Sequence, residues 1–307
     1  MDAIHTERFD VSYTDGPPIL VGASSDVALA RALRTIEAAG WRVADRMDLK
    51  SASERIDRQI AATAVWIELD RDCGESMDQV LDCVARNACD GRFAAVVSST
   101  AALIDPVSAR VDNGAIELIV DPDDAERTAA LAVAAASLGV GERLADIAAD
   151  QNAERLRQLS DEVSRIASTL ARLSAGPRPA TGRRTERLPE GEVPDVPAET
   201  VQAVIRARRL RTRYFPEHLF ADPAWDMLLD LLQAEIAQLR VPVSSLCIAA
   251  AVPATTALRW LKSMVQEGLF IRRADPHDGR RVFVELAPDT SHALRRYFAD
   301  VVSPAVV

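Results

Sequence analysis

Between residues 19 and 136 short apolar runs alternate with stretches of helical period, and that alternation restricts this part of the chain to one architecture, a parallel sheet with helices on both faces. Five runs have strand character, at 19–23, 41–44, 64–69, 93–97 and 116–120. Ser24, Ser25 and Asp26 are cap candidates for a first helix, in which Ala28, Leu29, Ala32, Leu33 and Ile36 recur at helical spacing before Gly40 stops it. Further helices are expected near 53–61, across 77–88 and from Asp121-Pro122 to about 138.

The chain has 307 residues, 48% of them hydrophobic and 27% charged, with a net charge of −10, which is room for two ordinary domains and excludes a miniprotein. Cys73, Cys83, Cys89 and Cys247 form no CxxC pair for zinc or redox chemistry, so a reducing compartment is expected. The most apolar stretch, 129–140, is interrupted by Ser137 and Gly139 and is too short to span a bilayer. A cytoplasmic, nucleoid-associated protein with no membrane partner is the expectation. Charge is uneven: residues 201–300 carry 14 Lys/Arg against 11 Asp/Glu, so the basic part is C-terminal and the acidic excess lies elsewhere.

The order and spacing of the first five strands resemble the response-regulator receiver family, over residues 17–138. Such a resemblance implies a flavodoxin-like sheet and a pocket at the strand ends holding an acidic pair, a phospho-accepting aspartate, a Ser/Thr and a lysine. Here the acidic-pair positions read Ser24 and Ser25, strand three ends in Glu68 and Asp70, strand four in Ser98, Ser99 and Thr100, and the lysine position reads Asp121. A carboxylate in place of the lysine reverses the charge that neutralises a phosphoryl group, so phosphorylation is not expected. Ser24, Ser25, Asp70, Ser98 and Asp121 are read either as ordinary turn and cap residues or as a pocket for a small molecule or a protein partner. The loop at Gly22-Ala23-Ser24-Ser25 lacks a full phosphate-binding pattern.

Leu156, Leu159, Val163, Ile166, Leu170 and Leu173 are spaced 3, 4, 3, 4, 3, a heptad seam that either pairs two chains as a coiled coil or packs on its own domain. Residues 176–197 hold five prolines and three glycines with few large aliphatics, the composition of a flexible linker. The expected organisation is a tail at 1–16, an α/β domain at 17–138, a dimerisation helix at 141–174, a linker at 175–199 and a C-terminal domain at 200–307.

In that last part Asp222-Pro223 opens a helix expected to bury Trp225, Leu228, Leu229, Leu232 and Ile236. A short helix over 243–250 with a serine cap, a turn at 251–253 and a helix over 254–267 stopped by Gly268 read as a helix-turn-helix. The second helix has Ala257, Leu258, Leu261 and Val265 as its buried stripe. Thr255, Arg259, Lys262 and Gln266 lie on the opposite face, flanked by Thr256 and Ser263, and no acid precedes Glu267. A hydroxyl, guanidinium, ammonium and amide face suits groove acceptors and phosphates. Strands at 269–273 and 281–286 with a turn between them complete a hairpin.

Residues 255–288 resemble the winged-helix regulators of the multiple-antibiotic-resistance (MarR) type, through the recognition helix, Gly268-Leu269, the basic strand and the tip Asp275-Pro276-His277-Asp278-Gly279-Arg280. The resemblance implies Arg280 at a minor groove, Asp278 with Asp275 supporting the wing, and Arg272, Arg273 and Arg281 on phosphates, with Ser245 also at the interface. The arginine-rich stretch 201–214 touches phosphate or forms a solvated face, His277 reads as a turn residue and Trp260 as core. Only His5, His218, His277 and His292 are present, so no Ser/His/Asp constellation arises, and no cofactor or metal motif is found. The expectation is a homodimeric, non-enzymatic regulator of double-stranded DNA. The alternative is a winged-helix module for protein contacts.

Overall fold

The computed structural model describes residues 17–58, 62–111, 115–137 and 194–302. Strands β1 (Pro18–Ala23), β2 (Arg42–Asp48), β3 (Ala64–Leu69), β4 (Ala94–Ser99) and β5 (Ile116–Val120) form one parallel sheet in the order β2-β1-β3-β4-β5. This is the order of a doubly wound α/β sheet. The central strands β3 and β4 are buried at every residue, which is why they read as continuous apolar runs rather than alternations. Helices α1 (Asp26–Ala38) and α5 (Asp124–Ser137) cover one face around Ile19, Trp66, Ile36 and Leu131. Helices α2 (Leu49–Arg58), α3 (Glu75–Cys89) and α4 (Ile104–Ser108) cover the other around Leu20, Ile67, Leu81 and Val107.

Local capping explains the helix starts. The Ser25 hydroxyl accepts from Ala28 N at 3.1 Å to open α1, and Gly40, at φ 76°, follows its end. Helix α5 starts later than Asp121-Pro122 because Asp123 and Glu126 cap each other's backbone N–H groups at 2.8 and 3.1 Å. Strand β2 runs past residue 44 to Asp48 and α2 starts at Leu49 rather than near 53. The charged residues of β2 lie on a sheet edge and hide its pairing from a hydrophobicity pattern. Helix α4 was not foreseen; it is five residues long with Pro106 inside it, and it follows a 3-10 turn at Ala101–Leu103.

One ionic cluster lies beneath the sheet. Glu68, 1% exposed, receives a two-pronged bond from Arg127 at 2.8 Å for each prong, the Arg31 Nε at 2.9 Å and the Trp66 indole at 2.9 Å. These donors fix α1 and α5 to β3, and a carboxylate so buried is tolerable only because its lone pairs are filled.

The C-terminal part comprises α6 (Ala198–Leu210), α7 (Pro223–Ile236), β6 (Val241–Pro242), α8 (Val243–Ala249), α9 (Ala254–Gln266), β7 (Phe270–Ala274), β8 (Val282–Leu286) and α10 (Pro288–Val302). Asp222 caps α7, with Pro223 at its first position. Helices α8 and α9 meet at 108°, and Gly268, at φ 74°, ends α9 in a conformation that favours glycine. The strands form an antiparallel sheet in the order β6-β8-β7, of which β6 was not foreseen. Leu229, Leu232, Leu246, Ala257, Leu261, Phe270, Val284 and Phe298 make the core. Met227 and Leu231 join it, whereas Trp225, Leu228 and Ile236 are only half-buried; Trp225 meets Tyr297 edge-on at 5.0 Å. Val196, within the expected linker, is already buried in this core. Residues 156–173, with the heptad seam, lie outside the described residues. Among the described residues no single helix is long and apolar enough to cross a membrane.

Replacing Arg127 with Met leaves Glu68 with only Arg31 and Trp66 as donors. Denaturant unfolding is expected to show a loss of about 3 kcal/mol, and a loss under about 1 kcal/mol would refute the structural weight given to this pair.

Candidate nucleic-acid interface

The sequence reading turns Thr255, Arg259 and Lys262 of α9 away from the domain core, and that face is where the two parts of the chain meet. Strand β5 is an edge strand, so alternate backbone groups have no strand to pair with. The Thr255 hydroxyl takes both groups of Val120, accepting from its N–H at 2.9 Å and donating to its carbonyl at 3.3 Å. Thr255 is therefore 3% exposed, and its expected place on a wet face is corrected: α9 is covered on two sides, by its own domain and by β5. Arg259 pairs with Glu117 of β5. Ile104 and Val120 are packed into the same apolar cluster as Val243, Leu246 and Ala257, so the core crosses the seam.

The short helix α8 is held by the other side of the seam. Asp105 of α4 accepts from Ser244 N at 2.9 Å and from Ser244 Oγ at 2.6 Å. The expected serine cap of α8 is thus replaced: Pro242 occupies the cap position, and the orphan N–H of Ser244 is satisfied by a carboxylate from the other part of the chain.

The hairpin between β7 and β8 continues the contact. Arg272 donates to the Ser108 carbonyl at 2.5 Å, and Arg280 reaches Asp72 at 2.7 Å and Asp78 at 3.3 Å. The bond from Arg280 holds the Asp72 carboxyl below its usual range, assisted by the Gly74 N–H and against burial. A depressed carboxylate pKa means the pair is complete above the ordinary value of 3.8 and is lost only as pH falls through the lower folded value. Asp72 in turn raises the Arg280 guanidinium further above its usual value. The turn itself is braced by Asp275, which accepts from His277 N at 2.9 Å, and by Asp278, which accepts from Arg280 N at 3.0 Å and pairs with Arg281 at 3.2 Å. Arg273 pairs across the hairpin with Glu285 at 2.5 Å. Ser245, Gln266, Arg273 and Arg281 are exposed, Thr256 and Ser263 half-buried, and Lys262 lines a cavity of about 60 Å³ with Glu117, Arg259 and Arg272. In the arginine-rich α6, Arg208 is paired with Asp226 at 2.6 Å.

At the carboxyl ends of the parallel strands, Ser24, Ser25 and Asp70 come together: both hydroxyls donate to the Asp70 carboxylate, at 2.7 and 2.5 Å. Burial pushes the Asp70 carboxyl up, but the bonds from Ser25 and Ser24, with Arg31 and Arg71 nearby, outweigh it and leave it below its usual range. Ser98 is buried with no hydrogen-bond partner for its hydroxyl among the described residues. Asp121, at φ 45°, turns aside to accept from Ala101 N at 3.1 Å, so it caps the 3-10 turn rather than joining Asp70. A cleft of about 500 Å³ runs from Asp70, Arg71 and Asp72 to Asp278, Arg280 and Arg281, so its walls come from both parts of the chain. Burial, with Asp105 adding to it, pushes the Cys247 thiol up to about 12, and burial beside Asp57 does the same for Cys83. Neither is a thiolate at neutral pH.

No protein-family model matches the chain, and no curated protein matches it. Among solved structures, BpsR of Bordetella bronchiseptica, whose DNA binding is regulated by 6-hydroxynicotinic acid, matches at 22% identity over 33% of this chain and 80% of that one, with a TM-score of 0.21.

Thr255→Val removes both bonds to Val120 while keeping the volume. Amide exchange at Val120 is expected to accelerate and stability to fall by about 1–3 kcal/mol, the cost of a buried backbone pair left unsatisfied. Unchanged exchange would show that Thr255 does not cap the strand.

Proposed function

We propose that the chain is a dimeric, sequence-specific regulator that binds double-stranded DNA through a winged helix-turn-helix formed by α7 to β8. We further propose that it is not an enzyme, and that its receiver-like α/β domain senses a small molecule or docks a protein without taking a phosphoryl group. One observation carries the reading: helices crossing at 108°, joined by a turn of a few residues, are followed by a hairpin whose Arg272 and Arg280 reach the same neighbouring surface as Arg259 of the second helix. Arg259, Arg272 and Arg280 all reach toward one surface, and a duplex is the extended array of acceptors that such a face suits. Pairing of chains is assigned to Leu156, Leu159, Val163, Ile166, Leu170 and Leu173, which would set two wings on half-sites related by a two-fold axis.

The pocket chemistry supports a receiver-like domain without phosphoryl transfer. Asp70 already holds two serine hydroxyls, and the position a lysine would need carries Asp121 turned toward Ala101. Treatment with acetyl phosphate is expected to add no mass; an added phosphoryl mass that Asp70→Asn abolishes would overturn this part of the reading.

A second reading has its own support. The cationic face is engaged by protein carboxylates in this structure, as a winged helix used for protein contacts would be. Selection from a pool of random duplexes by the full chain distinguishes the two. DNA recognition predicts an enriched two-fold-symmetric sequence whose affinity falls steeply with salt, and a loss of about tenfold or more in Arg280→Ala/Lys262→Ala. No enrichment, or binding indifferent to salt and to the double substitution, would favour the protein-contact module.

A further inference from the structure

We propose that the α/β domain is an intramolecular competitor of duplex DNA, with Asp72, Asp78 and Glu117 standing where phosphates would stand and the outer edge of β5 standing where a groove wall would. This rests on the DNA-binding reading and goes beyond it, because it assigns the described arrangement to the DNA-free state. A helix with its side chains is about 10–12 Å across and a major groove about 12 Å wide, so a reading helix must enter with its reading face bare. Helix α9 has that face against β5, with Thr255 hydrogen-bonded to Val120 and Arg259 paired with Glu117. A duplex and β5 cannot occupy it together.

The groups that meet the cationic face are those a duplex would offer: carboxylate oxygens for Arg259 and Arg280, and a carbonyl oxygen for Arg272. Each of these donors makes a charge-assisted bond in the docked chain that it would exchange for one to phosphate or a base edge, so the exchange is nearly balanced in bond count. Two of the ion pairs are also partly exposed: Arg280 is 30% and Asp72 47% accessible, Arg259 39% and Glu117 22%, whereas Asp78 is 14% accessible. Water and salt reach these two pairs, so they are screened and exchangeable, while Thr255, Ile104 and Val120 form the buried part of the contact that must open with them.

The test compares the full chain with a full chain carrying Asp72→Asn/Asp78→Asn/Glu117→Gln. Because removing acid raises affinity for any polyanion, a charge-matched control carries Asp45→Asn/Glu54→Gln/Asp90→Asn, residues away from the seam. Amide exchange at Val120 reports opening, and binding of a mixed-sequence duplex pool at low salt reports competition. The seam variant is expected to exchange faster at Val120 and to bind duplex about tenfold or more tightly than the control, within the range of ordinary coupling between sites. A gain no larger than the control's, with native chain and variants all binding duplex, overturns the competition and leaves the DNA-binding reading standing. Faster exchange with no duplex bound by any of the three chains overturns both. If the triple variant does not fold, Asp105→Ala, which frees Ser244 without touching the cationic face, serves in its place against the single-charge control Asp45→Asn, with the same expectations.

Discussion

The open edge of β5 is the constraint on which the arrangement of this molecule depends. A parallel sheet leaves unpaired N–H and C=O groups on its outer strands, and the two edges here are handled in opposite ways. Strand β2 carries Arg42, Asp45, Arg46 and Asp48 and stays wet. Strand β5, with Ile116, Ile119 and Val120 buried, is too apolar for that and needs a cover. A threonine suits the position because one hydroxyl both donates and accepts, and so closes the N–H and the carbonyl of Val120 together. An alanine or valine there would fill space and leave the strand unsatisfied.

That choice of cover decides what else is brought together. With α9 on β5, α8 falls beside α4 and the hairpin tip beside the loop after β3, and each meeting point has a polar pair: Ser244 with Asp105, Arg272 with Ser108, Arg280 with Asp72. The apolar part of the seam is centred on Ile104 and Val120, with Ala109 and Leu118 packed against the same cluster. Half-exposed ion pairs contribute roughly 0–1 kcal/mol each. The contact between the two parts is thus specific in its partners, with a buried apolar centre and a screened polar rim. The Glu68 cluster within the sheet differs, since Arg127 there is only 4% exposed and no water competes for it.

Much of this was legible in the residues. Strands 64–69 and 116–120 were read at their observed bounds, because buried parallel strands are bounded apolar runs; the Ser25 and Asp222 caps were legible because capping is local chemistry. Strand β6 and helix α4 were not, being two and five residues long with a proline in each. The seam was illegible for a different reason. A helical stripe tells which face is apolar, and Thr255 and Arg259 lie off that stripe; that a polar face is nevertheless covered follows from a strand more than a hundred residues away. The hints were Glu117, an acid within an otherwise apolar edge strand, Asp72 in the loop after β3 and Asp78 in the first turn of α3. Acids on an α/β surface are too common to be assigned to arginines on another domain.

The loop after β3 gives the two halves of the molecule a common element. Asp70 holds the start of α1 through Ser24 and Ser25, Arg71 donates to the Ser24 carbonyl at 2.9 Å, and Asp72 holds Arg280 at the hairpin tip. Three consecutive residues therefore join the strand-end pocket to the hairpin, with no side-chain relay needed between them. Any occupant of the cleft would influence the hairpin only to the extent that it binds one position of this loop better than the other. The geometry makes such a difference available, because the cleft that would receive the ligand is walled on one side by Asp70 and Arg71 and on the other by Asp278, Arg280 and Arg281. Separation of the two parts removes one wall, so an occupant that needs both walls stabilises the docked chain, whereas one that competes with Asp72 for Arg280 loosens it.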